Sequence, residues 1–86
     1  MMEYIISAHA KLRMEERGIP IDIIENVLAT PDSIKDDAED EDKKVYQKIV
    51  YLSEEKPYLV RIYVNTGREP NVVITGYITS KIEKYI

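Results

Sequence analysis

Three stretches in the C-terminal half, Lys44–Leu52, Tyr58–Val64 and Val72–Ile78, are dense in Val, Ile, Leu and Tyr, residues that fit a pleated, half-buried surface. The links between them, Ser53–Pro57 and Asn65–Asn71 with its Thr66-Gly67 pair, are too short for the crossover that parallel neighbours need. Strands joined this tightly run antiparallel, so a three-stranded antiparallel meander is the expected nucleus of the fold. A chain of 86 residues has room for one core, and a domain of this size hides only about 60% of its unfolded surface. Residues 1–86 are therefore read as a single domain in which the N-terminal half must cover one face of the sheet.

That half carries helix punctuation. Residues 3–6 read as a short N-terminal strand, Ser7 as an N-cap and Ala8–Arg17 as a helix, with Gly18 supplying a left-handed C-cap,. Pro20 suits the first turn of a second helix. Its Ile21, Ile24, Val27 and Leu28 repeat at helical spacing while Asp22, Glu25 and Asn26 face water, until Thr30-Pro31-Asp32 stops it,. Ser80–Ile86 is expected to add a short C-terminal helix. The fold class is α+β: strand, two helices, three-stranded antiparallel meander, short helix.

Period-two alternation places Tyr58, Val60, Ile62 and Val64 on one face of the middle meander strand and Leu59, Arg61 and Tyr63 on the other,. The more apolar faces belong under the helices, which leaves Arg61, Tyr63, Thr75 and Tyr77 for an open face of cationic and aromatic character. In the first meander strand either Tyr46 and Lys48, or Val45, Gln47, Ile49 and Tyr51, join that face; periodicity leaves both sets open. A second cationic group lies on the first helix. At about 100° per residue, His9, Arg13 and Arg17 fall within one stripe roughly 80° wide, flanked by Leu12, Ala10 and Met14 and facing away from Lys11 and Glu15. Guanidinium groups set among apolar neighbours need an anion, a carboxylate or carbonyls to offset their desolvation.

Charge and composition narrow the chemistry. The net charge is −4, yet Asp36, Asp37, Glu39, Asp40, Glu41 and Asp42 alone contribute −6, leaving the rest of the chain at +2. Such a run between helix and strand reads as a solvated loop, or as an autoinhibitory or docking segment. With no Cys and one His, disulfides and thiolate metal sites are excluded and the expectation is no metal and no cofactor. No run reaches the roughly 18 apolar residues of a membrane span, and Met1-Met2-Glu3-Tyr4-Ile5-Ile6 lacks signal-peptide order, so a cytoplasmic protein without membrane attachment is expected. Phosphate-loop spacing, paired carboxylates for sugar hydrolysis and a Ser-His-Asp set have no signal here.

The stretch His9-Ala10-Lys11-Leu12-Arg13-Met14-Glu15-Glu16-Arg17-Gly18-Ile19 and the ending Val72-Val73-Ile74-Thr75-Gly76-Tyr77-Ile78-Thr79-Ser80-Lys81-Ile82-Glu83-Lys84-Tyr85 together resemble the family called domain of unknown function 4258, usually grouped with the RelE and ParE superfamily of small toxins. The resemblance implies a RelE/ParE-like fold, in a superfamily whose members differ between ribosome-dependent messenger RNA cleavage, gyrase inhibition and unknown activities; the leading expectation is a toxin-type protein that cleaves RNA without metal, acting on RNA or the ribosome, with an antitoxin protein as partner. Such cleavage needs a base for the 2′-hydroxyl proton, cations to stabilise charge on phosphorus, and an acid for the 5′-oxygen. Arg61 is the expected charge stabiliser, with Tyr77, Lys81 and His9 as proton-handling candidates and Arg13, Arg17, Lys48 and Lys84 as substrate-binding candidates. Tyr46, Tyr63, Tyr77 and Tyr85 are core or edge aromatics that can also stack on unpaired bases. If the first helix covers the face opposite Arg61, the helix stripe and the strand arginine form separate groups. The competing expectation is a non-catalytic module that binds an antitoxin-like helix, another protein or a second copy of itself, or a nucleic-acid-binding domain without catalysis.

Overall fold

The computed structural model describes residues 3–53 and 55–86. The expected Met1-Met2 start, and Glu54 within the expected Ser53–Pro57 link, lie outside the described residues. The element order is β1 (Tyr4–Ile6), α1 (Ala8–Glu16), α2 (Ile21–Ala29), β2 (Ser33–Asp36), β3 (Lys43–Ser53), β4 (Lys56–Asn65) and β5 (Asn71–Thr79), then a 3₁₀ turn at Ile82–Lys84.

The helix boundaries follow from local chemistry. Ser7 caps α1 by accepting the Ala10 N–H on its hydroxyl at 3.1 Å, which satisfies one of the donors that a helix start leaves unpaired. At the other end Gly18 takes φ 72°, Ile19 N–H donates to the Met14 carbonyl at 2.9 Å and Gly18 N–H to the Glu15 carbonyl at 3.1 Å. That bond pair is a Schellman motif, and it folds Ile19 back towards Met14 at the base of the core. Pro20 stands at the N-cap of α2, one position before the first turn.

β3, β4 and β5 are consecutive antiparallel neighbours, but the sheet has five strands in the order β1-β5-β4-β3-β2, with β1 parallel to β5. Two features correct the expectation. Ser33–Asp36, whose last residue opens the acidic run expected as a solvated loop, is an edge strand paired with residues 44–47; with one apolar residue in four it carries no alternation, and its Lys35 and Asp36 suit an edge that must resist further pairing. The C-terminal helix is only a three-residue 3₁₀ turn, because seven residues gain too few helical bonds to offset nucleation.

β1 and β2 are the two sheet edges, so the segment between them carries both helices across one face. The core lies in that layer: Ala10, Met14, Ile19, Ile24, Val27 and Leu28 pack against Val60, Ile62, Val64 and Val73. Contact is closest at Gly76, where an added Cβ would stand 2.7 Å from Ile62 Cδ1 and 3.1 Å from Met14 Sδ. The acidic segment is mostly exposed, but its last residue is fastened: Asp42 carbonyl accepts from Thr66 N–H at 2.7 Å and from Thr66 Oγ1 at 3.1 Å. No helix among the described residues is long and apolar enough to cross a membrane.

Candidate functional site

Alternation along β4 sends Val60, Ile62 and Val64 into the core and Arg61 to the opposite face. There Arg61 stands beside Gln47 on β3 and Tyr77 on β5. Its Nε donates to Gln47 Oε1 at 3.0 Å, and its Nη1 to the Tyr77 hydroxyl at 2.7 Å and the Tyr63 hydroxyl at 3.3 Å. The Tyr85 ring, brought over by the C-terminal turn, lies 4.2 Å from the guanidinium carbon. Every one of these partners is neutral. Among the described residues no carboxylate pairs with Arg61, and Nη2 makes no hydrogen bond; since no buried side-chain nitrogen or oxygen lacks a partner, Nη2 is not sealed from solvent. A half-buried guanidinium is thus fixed on two of its nitrogens and offers the third, with its charge uncompensated, to an anion.

The tyrosines are tuned by this arrangement in opposite directions. Burial pushes the Tyr77 hydroxyl up, but hydrogen bonds with Tyr85, Arg61 and Tyr63, together with the Arg61 charge, outweigh it and hold Tyr77 below the ordinary tyrosine value. Tyr63 is raised, chiefly by burial and by its hydrogen bond with Tyr77, with the negative charge of Asp37 adding to this and the Arg61 charge opposing it. The Tyr63 and Tyr77 rings stack at 6.1 Å, and Tyr85 meets Tyr77 edge-on at 6.2 Å. Lys84 Nζ lies 5.4 Å from the Tyr85 ring centre, a second cation at the same rim.

The other sequence-derived site residues are scattered. His9, Arg13 and Arg17 are all exposed rather than set among apolar neighbours, because the buried side chains of α1 are Ala10 and Met14 while Leu12 is 55% exposed. Arg13 makes a surface pair with Glu16 at 3.6 Å. Arg17 has a structural role: its Nη1 donates to the Gly76 carbonyl at 2.9 Å and to Thr75 Oγ1 at 3.0 Å. β1 pairs only with the first residues of β5, through Val73, so Arg17 caps a carbonyl on the strand beyond that pairing. Lys48 faces the helix side, where its Nζ donates to Thr30 Oγ1 at 2.7 Å. Lys81 is exposed just after β5, its N–H donating to Thr79 Oγ1 at 3.0 Å. The helix stripe and Arg61 are therefore on opposite sides of the sheet, and only Arg61, Tyr77 and Lys84 of the expected set come together, with Lys81 on the same terminal segment as Lys84.

Gln47 was not singled out by the sequence. It is buried, at 1% exposure, and its Nε2 also donates to the Tyr85 carbonyl at 3.3 Å. The signal available was its being the one amide among Val45, Ile49 and Tyr51 on that face of β3; the register that sets it against Arg61 comes only from pairing. Among the described residues no three His, Asp or Glu side chains are grouped so as to hold a metal ion.

A family model described as Domain of unknown function (DUF4258) matches residues 6–78. The match includes Gln47, Arg61, Tyr63 and Tyr77 and ends before Lys81, Lys84 and Tyr85. No curated protein and no solved structure matches the chain.

Proposed function

The chain belongs to the DUF4258 family, and on that footing we propose that it is a RelE/ParE-like, toxin-type domain that binds single-stranded RNA at the Arg61 face and cleaves it without metal, with the ribosome as one setting for the reaction. The observation that carries this reading is the Arg61 guanidinium, held by a neutral amide and two phenols with Nη2 not sealed from solvent. A phosphodiester is the complementary ligand, and unpaired bases find stacking surfaces on the tyrosines around it.

In the proposed step the 2′-oxygen attacks phosphorus and its proton passes to solvent base. Arg61 stabilises the charge that builds on the phosphoryl oxygens. The P–O5′ bond breaks and the Tyr77 hydroxyl donates its proton to the leaving 5′-oxygen. The products are a 2′,3′-cyclic phosphate and a 5′-hydroxyl, and Tyr77 is reprotonated from water. Lys84 and Lys81 contact flanking phosphates. His9, in the helical layer, takes no part.

Purified protein incubated with RNA alone and with translating ribosomes tests the reading, beside Arg61→Ala, Tyr77→Phe and His9→Ala. Cleavage lost in the first two and kept in the third is the expected result. A wild-type protein that neither binds RNA nor arrests growth on expression overturns it.

A second reading draws on a different observation. A hollow of about 250 Å³ between the helices is lined by Lys11, Glu15, Ile19, Pro20, Ile21 and Ile24, and Ile21 beside it is exposed. An antitoxin-like helix or a second copy of the chain docking there gives a non-catalytic interaction module.

A further inference from the structure

Partly buried guanidinium groups are ordinarily offset by a carboxylate, since desolvating a lone charge is costly. Here the position that could hold one, directly across the β3–β4 ladder from Arg61, is occupied by an amide. Glutamate fills the same space as glutamine, so packing does not exclude a charge at position 47; what the amide supplies is neutrality towards Arg61 and a donor for the Tyr85 carbonyl. Gln47 also works at both ends. Oε1 accepts the Nε proton of Arg61, which fixes the guanidinium plane, turning Nη1 to the tyrosines and leaving Nη2 open to solvent. Nε2 donates to the carbonyl of Tyr85, whose ring lies over that guanidinium.

We propose that Gln47 is the positioning and charge-setting residue of this site: it orients Arg61 and seats Tyr85 over it while leaving the guanidinium charge free for the phosphate of a single-stranded RNA. The ligand rests on the reading given under Proposed function; the charge-setting role does not. A carboxylate at position 47 would pair with Nε and cancel the attraction to a phosphate. A residue of similar size without an acceptor would leave the charge but lose the orientation.

The two effects are separated by Gln47→Glu and Gln47→Met, measured against wild type for binding of a single-stranded oligoribonucleotide over a range of salt, for thermal melting and for tyrosine ionisation by ultraviolet absorbance, with Tyr77→Phe identifying the Tyr77 signal. For Gln47→Glu, which gains a charge-assisted bond to Nε but gives up the donor to the Tyr85 carbonyl, we expect at least tenfold weaker RNA binding at low salt and a log–log salt slope shallower by about 0.7, the loss of one phosphate contact on a single strand. Tyr77 is faced by Arg61, Tyr63 and Tyr85, with Asp37 acting on Tyr63; Gln47→Glu neutralises the Arg61 charge and also loosens Tyr85, whereas Gln47→Met loosens Tyr85 but leaves the charge, so Tyr77 should ionise at higher pH in Gln47→Glu than in Gln47→Met. For Gln47→Met we expect weaker binding with the salt slope retained.

A Gln47→Glu protein that folds and binds RNA with the wild-type affinity and slope and an unmoved Tyr77 titration overturns the proposal; should that variant not fold, a Gln47→Met protein that folds and binds RNA as tightly as wild type overturns it. If wild type binds no RNA but Tyr77 still ionises at higher pH in Gln47→Glu than in Gln47→Met, the RNA reading fails and the charge-setting role stands.

Discussion

Arg61 and Arg17 have the same side chain and opposite fates. Arg17 ends on a backbone carbonyl and a hydroxyl at the sheet margin, whereas Arg61 is braced by neutral groups and keeps a donor edge open to solvent. Arg61→Ala should therefore lower RNA cleavage on the order of 100-fold, the scale for removing a donor aimed at developing charge. Arg61→Lys should not restore it, because an ammonium cannot hold the Gln47 and tyrosine partners together with a phosphate. Tyrosine titration offers a second check. Tyr77, held low, favours the folded state above the ordinary tyrosine value, and that contribution is lost as pH falls through its own lowered ionisation,. Tyr63, held high, contributes below the ordinary tyrosine value and loses that contribution as pH climbs through its own. In absorbance the first tyrosine to ionise should vanish in Tyr77→Phe, and cleavage that uses Tyr77 as acid should decline over the same range. Gly76 is a third residue-scale case: Gly76→Ala drives a methyl into Ile62 and Met14 and should cost about 1–3 kcal/mol in chemical denaturation.

Among the elements, α1 is the one whose beginning and end are both written locally. Ser7→Ala removes the N-cap acceptor and should cost about 1 kcal/mol. Gly18→Ala places a Cβ on a left-handed residue and should cost about 1–2 kcal/mol. Both losses are readable as lowered melting temperatures with RNA binding at low temperature unchanged, because α1 lies across the sheet from Arg61. Arg17→Met should behave the same way, lowering stability by about 1 kcal/mol without touching RNA binding; a matching loss of RNA affinity would return the helix stripe to the site. The elements that sequence alone left unread are those without a repeating pattern. β2 has a single apolar residue and owes its conformation to the free edge of β3, and the C-terminal turn is defined by Tyr85 meeting Gln47 and Arg61 rather than by its own helix propensity.

At the scale of the molecule, the net charge of −4 conceals a division of labour. Asp36 closes β2 and pairs with Lys44; the carboxylates of residues 37–42 are concentrated on one loop that is tied to Thr66 and whose Asp37 reaches Tyr63 electrostatically, while Arg61 and Lys84 stand on the tyrosine face. A polyanion approaching that face meets attraction from one group and repulsion from the other, both screened over about 8–10 Å at physiological salt. Replacing the exposed Glu39 and Glu41 by Gln should therefore raise RNA affinity at low salt, by two- to threefold if each is worth a few tenths of a kcal/mol. The gain should shrink as salt is added, and no change at low salt would show that the loop lies outside the field of the site.

The sequence by itself determined what is local and periodic. The spacing of Ile21, Ile24, Val27 and Leu28, the caps at Ser7 and Gly18, and the alternation around Arg61 all follow from the 3.6- and 2-residue repeats of helix and strand. Short links did the same for the antiparallel order of β3, β4 and β5. Tertiary structure decided what depends on partners distant in the chain. It put Gln47 rather than Lys48 beside Arg61, because a strand's face is set by its register with a neighbour. It left His9 and Arg13 in solvent and sent Arg17 to the sheet margin, because α1 turned Ala10 and Met14 to the core. Whether a guanidinium is an internal brace or an anion site depends on the charge of what touches it, and those contacts exist only once the chain has folded.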